Sequence, residues 1–245
     1  MHRFYADPSF SDDDHLFLSP EDARHALVVL RMKPGQTIEL IHDSSLFEAQ
    51  IVSVDNQQVS VRTIRKLSST ETSFSVTLFQ GLPKSDKMDW IVQKATEIGV
   101  SQIVPLIMDR CMMKPDFRKD SHKIDRWRRI IREACKQSGR CAVPEILDPC
   151  TIFQLKDHLS LPALNVVPWE DTNGYGPRAF CQDHPNPVSL GILIGPEGGI
   201  DQKEISFLRS IGFIPVTLGK RILRTETAGL AAVSAFLGIY GEMDS

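Results

Sequence analysis

Residues 188–228 read VSLGILIGPEGGIDQKEISFLRSIGFIPVTLGKRILRTETA, and this stretch decides the fold of the chain. An apolar run at 188–194 ends in the glycine-rich turn GPEGG (195–199). A second apolar run at 213–218 ends in the basic segment GKRILRT (219–225). Short apolar runs bounded by turn signals are typical of buried strands. Because ligands bind at the carboxyl ends of strands in α/β sheets, the pattern predicts one small-molecule pocket built from two neighbouring loops.

The region from residue 74 onward alternates strand-like and helix-like segments. Helical spacing of apolar residues predicts a helix that begins after Ser85 or Asp86 and ends at Gly99. The other predicted elements are strands at 75–82, 102–108, 163–167, 188–194 and 213–218, and helices at 121–138, 201–211 and 225–240. Alternation of this kind predicts an α/β domain with a largely parallel sheet and helices on both faces.

The N-terminal residues 1–67 follow a different pattern, that of a small β-rich unit with one helix. Ser19 followed by Pro20 is a helix start, and the helix is expected to reach about Leu30. Alternating apolar residues predict strands at 37–42, 46–54 and 58–64. The polar Ser/Thr-rich stretch that follows is typical of a linker. The predicted organisation is a first domain at 1–67, a linker at 68–73 and a second domain at 74–245.

Composition places the chain among soluble globular proteins, with 245 residues, 42% of them hydrophobic and 24% charged. No apolar stretch reaches the roughly 20 residues of a membrane span, and the N-terminus is too polar and acidic for a signal peptide. The five cysteines form no CxxC pair, which favours reduced thiols in a cytoplasmic protein. Seven scattered histidines give no ligand spacing, so no metal site is predicted.

Charge is distributed unevenly along the chain. The net charge is −3, but residues 119–140 hold eight basic and three acidic residues, a local charge of +5. Arg128, Arg132 and Lys136 recur every four residues on one face of the predicted helix, with Arg129 beside them. Such a face is either solvated or a phosphate-binding surface, and the charge pattern alone leaves both open.

The two loops of the predicted pocket lack the best-known phosphate motifs. GPEGG does not have the G-x-G-x-x-G spacing or the G-K-[ST] ending. Its glycines would let main-chain groups contact a flat ring such as adenine. Lys220, Arg221 and Arg224 precede a helix start at Thr225, where the helix N-terminus and the cations attract anions. The alternative for both loops is purely structural: a tight turn, and a capped helix with solvated basic neighbours.

Together, GPEGG and TLGKRILRTETA resemble the SPOUT superfamily of S-adenosylmethionine-dependent RNA methyltransferases, and most of all the RsmE family. Three further stretches agree: KMDWIVQKATEIGV (87–100), CKQSGRCAVPEI (135–146), and RFY followed by HALVVLRMKPG (25–35). The resemblance therefore spans nearly the whole chain. It implies methylation of N3 of one uridine, uridine 1498, in the 16S ribosomal RNA of the 30S subunit. It also implies an N-terminal PUA-like β-barrel that grips RNA, a C-terminal α/β domain with a deep trefoil knot, and a homodimer.

The resemblance places the S-adenosylmethionine contacts on three loops, one after each of the last three strands. The first loop is 168–170, the second is GPEGG, and the third is 218–225. The cofactor contacts that it implies are Pro168, Ile194, Gly195, Pro196, Glu197, Gly198, Gly199, Leu218, Gly219, Arg221, Ile222, Leu223, Thr225 and Ala228.

Methylation of uracil N3 requires that the N3 proton leave and that negative charge on O2 or O4 be stabilised. We hypothesise that Arg224 stabilises this charge, and that Glu226 orients an arginine or takes the proton, with Glu197 as the lesser candidate. The alternative for Glu226 is simply favourable charge at a helix N-terminus. With an RNA substrate implied, phosphate contact is expected from Arg3, Arg24, Arg31, Arg128, Arg129, Arg132 and Lys136.

Other functions remain open at the level of sequence. The chain could transfer methyl to a ribose 2′-oxygen or to another base, or it could be a non-catalytic RNA-binding or ribosome-assembly factor. The intact GPEGG and LRTETA segments favour catalysis. An enzyme acting on nucleotide phosphates is disfavoured because the phosphate-loop lysine motif is missing.

Overall fold

The computed structural model describes residues 2–12, 15–55, 58–112, 121–158 and 160–244. The chain forms two compact units. The first contains Met1–Glu71 and Lys136–Val143, and the second contains Thr72–Cys135 and Pro144–Ser245. Inclusion of residues 136–143 in the first unit was not anticipated from the sequence. The domain limits at 67 and 74 stay a prediction.

The first unit is a closed five-stranded barrel with the strand order β1-β2-β5-β4-β3. Its strands are β1 (Arg3–Asp12), β2 (His15–Leu18), β3 (Thr37–His42), β4 (Ser45–Asp55) and β5 (Gln58–Lys66). The neighbours pair antiparallel except β1 and β3, whose parallel pairing closes the barrel. The predictions of β3, β4 and β5 are confirmed to within two residues. Strands β1 and β2 were missed because a proline and a run of Ser and Asp interrupt the apolar alternation there.

The helical segment of the first unit begins as the sequence predicts. The Ser19 hydroxyl accepts a hydrogen bond from Asp22 N at 3.3 Å and caps α1 (Pro20–Arg24). The chain then continues as a π-helix, His25–Val29, rather than as the regular helix expected to reach Leu30.

Glu71 holds the 136–143 stretch in the first unit. Its carboxylate accepts hydrogen bonds from the guanidinium of Arg140, from Cys141 N at 2.7 Å and from Ala142 N at 3.0 Å. Arg140 is 4% exposed. Burial by itself would raise the pKa of Glu71, but the Arg140 guanidinium and the two backbone N–H groups outweigh burial and lower it. The ionised carboxylate is therefore part of the folded unit.

Replacing Glu71 with glutamine is expected to lower the free energy of unfolding by about 2 kcal/mol, because a buried arginine loses its charged partner. A lowered pKa in the folded state means that this stability is present above the ordinary pKa of 4.5 and is lost as the pH falls through the folded value. Urea denaturation at neutral and at progressively acidic pH measures both effects. Glu48→Gln is the control, since its partner Arg65 is 70% exposed and the expected loss is below about 1 kcal/mol. Equal losses for the two variants would contradict the prediction.

The second unit is built on a seven-stranded sheet with the order β12-β10-β11-β6-β7-β8, in which β9 also pairs with β7. Its strands are β6 (Ser75–Gly81), β7 (Gln102–Ile107), β8 (Glu145–Ile146), β9 (Cys150–Thr151), β10 (Leu164–Pro168), β11 (Ser189–Ile194) and β12 (Phe213–Val216). Every pairing described in this sheet is parallel. The predicted parallel α/β sheet is confirmed.

Helices connect these strands. They are α2 (Lys87–Ile98), α3 (Ser121–Ser138), α4 (Leu155–His158) after a 3-10 turn Ile152–Gln154, α5 (Pro177–Asp183), α6 (Gln202–Ser210) and α7 (Thr225–Ile239). The predicted α2, α3, α6 and α7 are confirmed, and Gly99 ends α2 in the left-handed conformation with φ of 119°. The short β8, β9, α4 and α5 were not predicted. In the described part of the chain no helix is both long and apolar enough to cross a bilayer.

Strand register decides where the loops of the second unit meet. Pro168 at the end of β10 pairs with Val216 at the end of β12, and Ile194 at the end of β11 pairs with Gln80 of β6. Parallel strands in this register end at one edge of the sheet. The loops after β10, β11 and β12 therefore leave the sheet side by side. A knot in this region stays a prediction.

Candidate functional site

One cleft of about 920 Å³ opens at the carboxyl edge of β10, β11 and β12. This volume is typical of a small-molecule site. All residues predicted to contact the cofactor line it: Pro168, Ile194, Gly195, Pro196, Glu197, Gly198, Gly199, Leu218, Gly219, Arg221, Ile222, Leu223, Thr225 and Ala228. The structure thus brings the predicted set together in one place, while their roles toward a ligand stay a prediction.

The GPEGG turn is shaped by close backbone packing. Gly199 N donates to Pro196 O at 2.9 Å, and Gly199 has a φ of 76°, which favours glycine. Behind the turn lies Gly81, the last residue of β6. A Cβ on Gly81 would lie 2.7 Å from Pro196 N, a distance that real Cβ atoms do not reach. The second loop therefore rests directly on a glycine that sequence reasoning did not single out.

A buried hydrogen-bond chain joins the second loop to the start of α7. Thr225 Oγ1 donates to Gly195 O at 2.7 Å. Gln80 Nε2 donates to Thr225 Oγ1 and to Gly81 O, each at 2.9 Å, and Gln80 is fully buried. Gln80 was missed, although a glutamine inside an otherwise apolar strand was the signal. Removing any of these groups would leave a buried polar group without its partner. The hydrogen bonds therefore fix the spacing between the second loop and the start of α7.

Arg224 lies at the junction of the third loop and α7. Its carbonyl accepts hydrogen bonds from Thr227 N at 2.9 Å and Ala228 N at 2.8 Å, so its backbone begins the helix. Its side chain is exposed and lines the cleft. A guanidinium next to a helix N-terminus creates a positive end of the cleft, which suits an oxygen that carries negative charge.

Lys87, the first residue of α2, brings two carboxylates together at the cleft. Its Nζ lies 3.1 Å from Glu197 Oε1 and 3.1 Å from Glu226 Oε2. These hydrogen bonds, with Glu197 the larger influence, raise the pKa of Lys87. Glu226 is not among the described residues that line the cleft, whereas Lys87 is. Glu226 is therefore connected to the cleft by its ion pair with Lys87, a residue that sequence reasoning missed.

The first loop runs further than predicted, because the cleft lining after β10 extends to Gly174. Trp169 N donates to Val216 O at 3.0 Å, and the Arg209 guanidinium lies 5.2 Å from the centre of the Trp169 ring. Thr172 Oγ1 is buried and has no hydrogen-bond partner among the described residues. A buried hydroxyl without a partner in the lining of a cleft can hydrogen-bond to a polar group of a ligand.

The predicted RNA-binding residues fall into two groups. Arg24, Arg31, Arg129 and Arg132 are exposed. Three others are engaged by protein groups: Arg3 by Glu39 at 2.7 Å and by Gly139 O, Arg128 by Asp125 at 3.2 Å, and Lys136 by Glu21 at 3.4 Å. Lys119 and Asp120, the first charged residues of the basic stretch, lie outside the described residues. The exposed group is the better placed to contact a polyanion.

Neither a metal-ligand cluster nor a disulfide occurs in the described ranges. No cluster of three or more His, Cys, Asp or Glu residues there could hold a metal ion. None of the five cysteines forms a disulfide.

Comparison with known proteins identifies the family. The chain matches the model of an RNA methyltransferase domain over residues 70–237 and that of an RNA methyltransferase PUA domain over residues 18–64. Ribosomal RNA small subunit methyltransferase E (RsmE) of Bacillus subtilis is 35% identical over 93% of this chain and 89% of its own length. This chain belongs to the RsmE family. The RsmE of Buchnera aphidicola from Acyrthosiphon pisum is 30% identical over 98% of this chain and 94% of its own.

Two solved structures share the fold of this chain. A putative methyltransferase of Legionella pneumophila, solved with bound S-adenosylmethionine, has 35% identity and a TM-score of 0.77 and covers 96% of each chain. RsmE of Neisseria gonorrhoeae, also bound to S-adenosylmethionine, has 31% identity and a TM-score of 0.76 and covers 98% of each chain. The barrel of the first unit and the parallel sheet of the second are thus RsmE features.

Proposed function

We propose that this RsmE-family chain uses S-adenosylmethionine to methylate N3 of one uridine, uridine 1498, in the 16S ribosomal RNA of the small subunit. The supporting observation is the cleft at the carboxyl edge of the sheet, where the three predicted loops meet beside Arg224. The two solved relatives described above bind S-adenosylmethionine, and the curated relatives are named for small-subunit ribosomal RNA.

The residues of the cleft fit this cofactor. Ile194, Leu218 and Leu223 supply apolar surface for a flat ring, and the backbone of GPEGG supplies polar main-chain groups at its edge. The buried Thr172 hydroxyl offers a further polar contact. When bound, the cofactor supplies a methyl group on a positively charged sulfur, ready for in-line transfer. The protein's part is to hold N3 of uracil about 3 Å from that methyl carbon.

Arg224 is proposed to stabilise the uracil oxygen that gains negative charge as the N3 proton leaves. A preformed guanidinium at a helix N-terminus needs no reorganisation to do so, which is the condition for strong electrostatic stabilisation. Glu226 and Glu197 are held ionised beside Lys87. Of these two carboxylates, Glu226 remains the better candidate to orient a cationic group near the reacting base.

The exposed arginines are proposed to contact RNA phosphates, and changing Arg129 and Arg132 of α3 to alanine tests this. If both contact phosphate, the slope of log affinity against log salt becomes shallower by about 1.4, because each contact on single-stranded RNA contributes about 0.7. Filter binding of 16S RNA at several salt concentrations measures the slope. The matched control is Lys94→Ala with Lys203→Ala, which removes two charges elsewhere in the same unit. An unchanged slope in the α3 variant would remove this helix from the RNA-binding surface.

Three further properties are proposed from the family resemblance: a homodimer, a trefoil knot in the second unit, and action in the cytoplasm. The loops of the cleft leave three adjacent strands, as a knotted cofactor site would require. Sedimentation equilibrium tests the dimer directly, with a single species of twice 27.5 kDa expected.

The test of the reaction is methyl transfer from labelled S-adenosylmethionine to unmodified 16S RNA and, separately, to 30S subunits, followed by nucleoside mass spectrometry. Appearance of 3-methyluridine is the expected result, and the better substrate shows the stage of assembly at which the enzyme acts. A different methylated nucleoside would overturn the proposed position. Tight cofactor binding without transfer to either RNA would instead favour a binding role.

A further inference from the structure

The stretch 87–100 carries part of the resemblance to the RsmE family and includes helix α2. Its first residue, Lys87, follows a turn in which Ser85 has a φ of 59°, a conformation that is unusual for serine. Strained residues of this kind persist only where the surrounding structure holds them, and they cluster at functional sites. Here the turn delivers the Lys87 side chain to the cleft, where it is 32% exposed.

Lys87 connects three elements that surround the cleft. Its ammonium group contacts Glu197 of the second loop and Glu226 in the first turn of α7, while Lys87 itself begins α2. Glu197 also accepts hydrogen bonds from the backbone of the same turn, since Lys84 N lies 3.1 Å from Oε1. The lysine is therefore the shared partner of two carboxylates, one on the second loop and one at the start of α7.

The charges around Lys87, Glu197 and Glu226 argue against a role for either carboxylate as the base that accepts the N3 proton. Burial alone would raise the pKa of Glu226, but its own backbone N–H, the Lys87 ammonium and the Arg224 charge together lower it. The pKa of Glu197 is lowered in the same way, by its own N–H, by Lys84 N and by Lys87. A carboxylate whose proton affinity is reduced is a weak acceptor for a proton from a nitrogen. The cluster is better suited to hold geometry than to exchange protons.

We propose that Lys87 is a positioning residue for methyl transfer, which acts through Glu197 and Glu226 to fix the second loop against the start of α7. Through that turn it also sets the place of Arg224. This inference rests on the proposed function of the cleft. It makes Glu226 a structural anion of the site rather than the proton acceptor.

The test is a double-mutant cycle of Lys87→Met and Glu226→Gln, with S-adenosylmethionine affinity from calorimetry and kcat as separate readouts. Lys87→Met is expected to weaken cofactor binding several-fold and to lower kcat about tenfold or more, because the loops lose their common anchor. If Lys87 acts through Glu226, the double variant loses little more than the worse single variant. Lys87→Arg, which keeps two donors and the charge, is expected to restore most of both.

The pH profile separates positioning from a merely structural role. In the unsubstituted protein, protonation of Glu226 and Glu197 at acidic pH breaks their contacts with Lys87 and lowers kcat. In Lys87→Met those contacts are already absent, so this acidic limb of the kcat profile is expected to flatten. Loss of overall stability would lower kcat and leave that limb in place. The matched control is Lys94→Met, because Lys94 lies on the same helix, is 35% exposed, and pairs with Glu97 at 2.8 Å away from the cleft lining.

The outcomes distinguish the inference from the function on which it rests. Unsubstituted protein that does not bind S-adenosylmethionine overturns the proposed function. Unsubstituted protein that binds and transfers methyl, with Lys87→Met equal to Lys94→Met, overturns the inference alone. Additive losses in the cycle also overturn it. If Lys87→Met fails to fold, Lys87→Arg and Glu226→Gln still decide, because an unchanged affinity and pH profile in Glu226→Gln would contradict coupling.

Discussion

Arg224→Met is expected to lower the rate of methyl transfer at least about a hundredfold while it leaves the affinity for S-adenosylmethionine within a few-fold of the unsubstituted protein. The side chain is exposed in the cleft and its backbone begins α7, so its loss removes a charge without removing a core contact. Removal of one preformed donor from a developing oxyanion typically costs about 10² to 10³ in rate. Single-turnover transfer with saturating RNA measures this step apart from product release.

Two neighbouring variants control for that result. Lys220→Met removes a charge from the same loop and is expected to change the single-turnover rate by less than about tenfold. Arg224→Lys keeps the charge but loses the planar donor pair, and an intermediate rate is expected. If Arg224→Met kept full activity and cofactor affinity, its electrostatic role would be wrong. If it lost cofactor affinity in proportion to rate, Arg224 would instead belong to the binding surface.

Gly81→Ala is expected to weaken S-adenosylmethionine binding by about 10- to 100-fold. The new Cβ would lie 2.7 Å from Pro196 N and 3.0 Å from Gly195 C, and both are backbone atoms of the second loop. Backbone cannot rotate away as a flexible side chain can, so the loop must move and the Thr225–Gly195 hydrogen bond opens with it. Forcing extra volume into a packed site costs about 1–3 kcal/mol, and here it destabilises the conformation of the second loop. Calorimetric titration measures the affinity.

The control for this variant is Gly238→Ala in α7. There a Cβ would meet only Met243 Sδ, at 3.9 Å, and alanine in a helix interior is favoured over glycine. We expect unchanged binding and equal or higher stability. Retention of tight cofactor binding by Gly81→Ala would show that the second loop accommodates the methyl group, and it would contradict the rigid packing described above.

The elements with a clear apolar period were accessible to sequence reasoning. Strand β11 and helix α7 flank the two diagnostic loops, and both lie where the pattern places them because burial of one face imposes a regular spacing. The two-residue strands β8 and β9 and the four-residue helix α4 were not accessible, since they carry too few residues for a period. The exception among longer strands is β1, whose alternation is broken by Pro8.

Some residues of the candidate site were visible in the sequence, and others were not. The residues of GPEGG and of 218–225 stand next to one another along the chain, so their motifs were visible, and the resemblance supplied their expected ligand. Lys87 and Gln80 lie more than a hundred residues earlier in the chain, Lys87 at the start of a helix and Gln80 within a strand. The lone glutamine in an apolar strand marks Gln80 as unusual, but no local pattern links either residue to the two loops. Only the parallel register of β6 with β11 brings them to the same edge.

By itself, the sequence determined the longer periodic elements of the second unit, its α/β pattern, the family and the residues of two loops that line the cleft. These are local properties, fixed by the spacing of apolar residues and by turn chemistry. The tertiary structure alone decided that the 136–143 stretch joins the barrel through Glu71, that Gly81 supports the second loop, and that Lys87 holds Glu197 and Glu226 together. Such contacts join residues that are distant along the chain, and packing and charge pairing select them only after the sheet has formed.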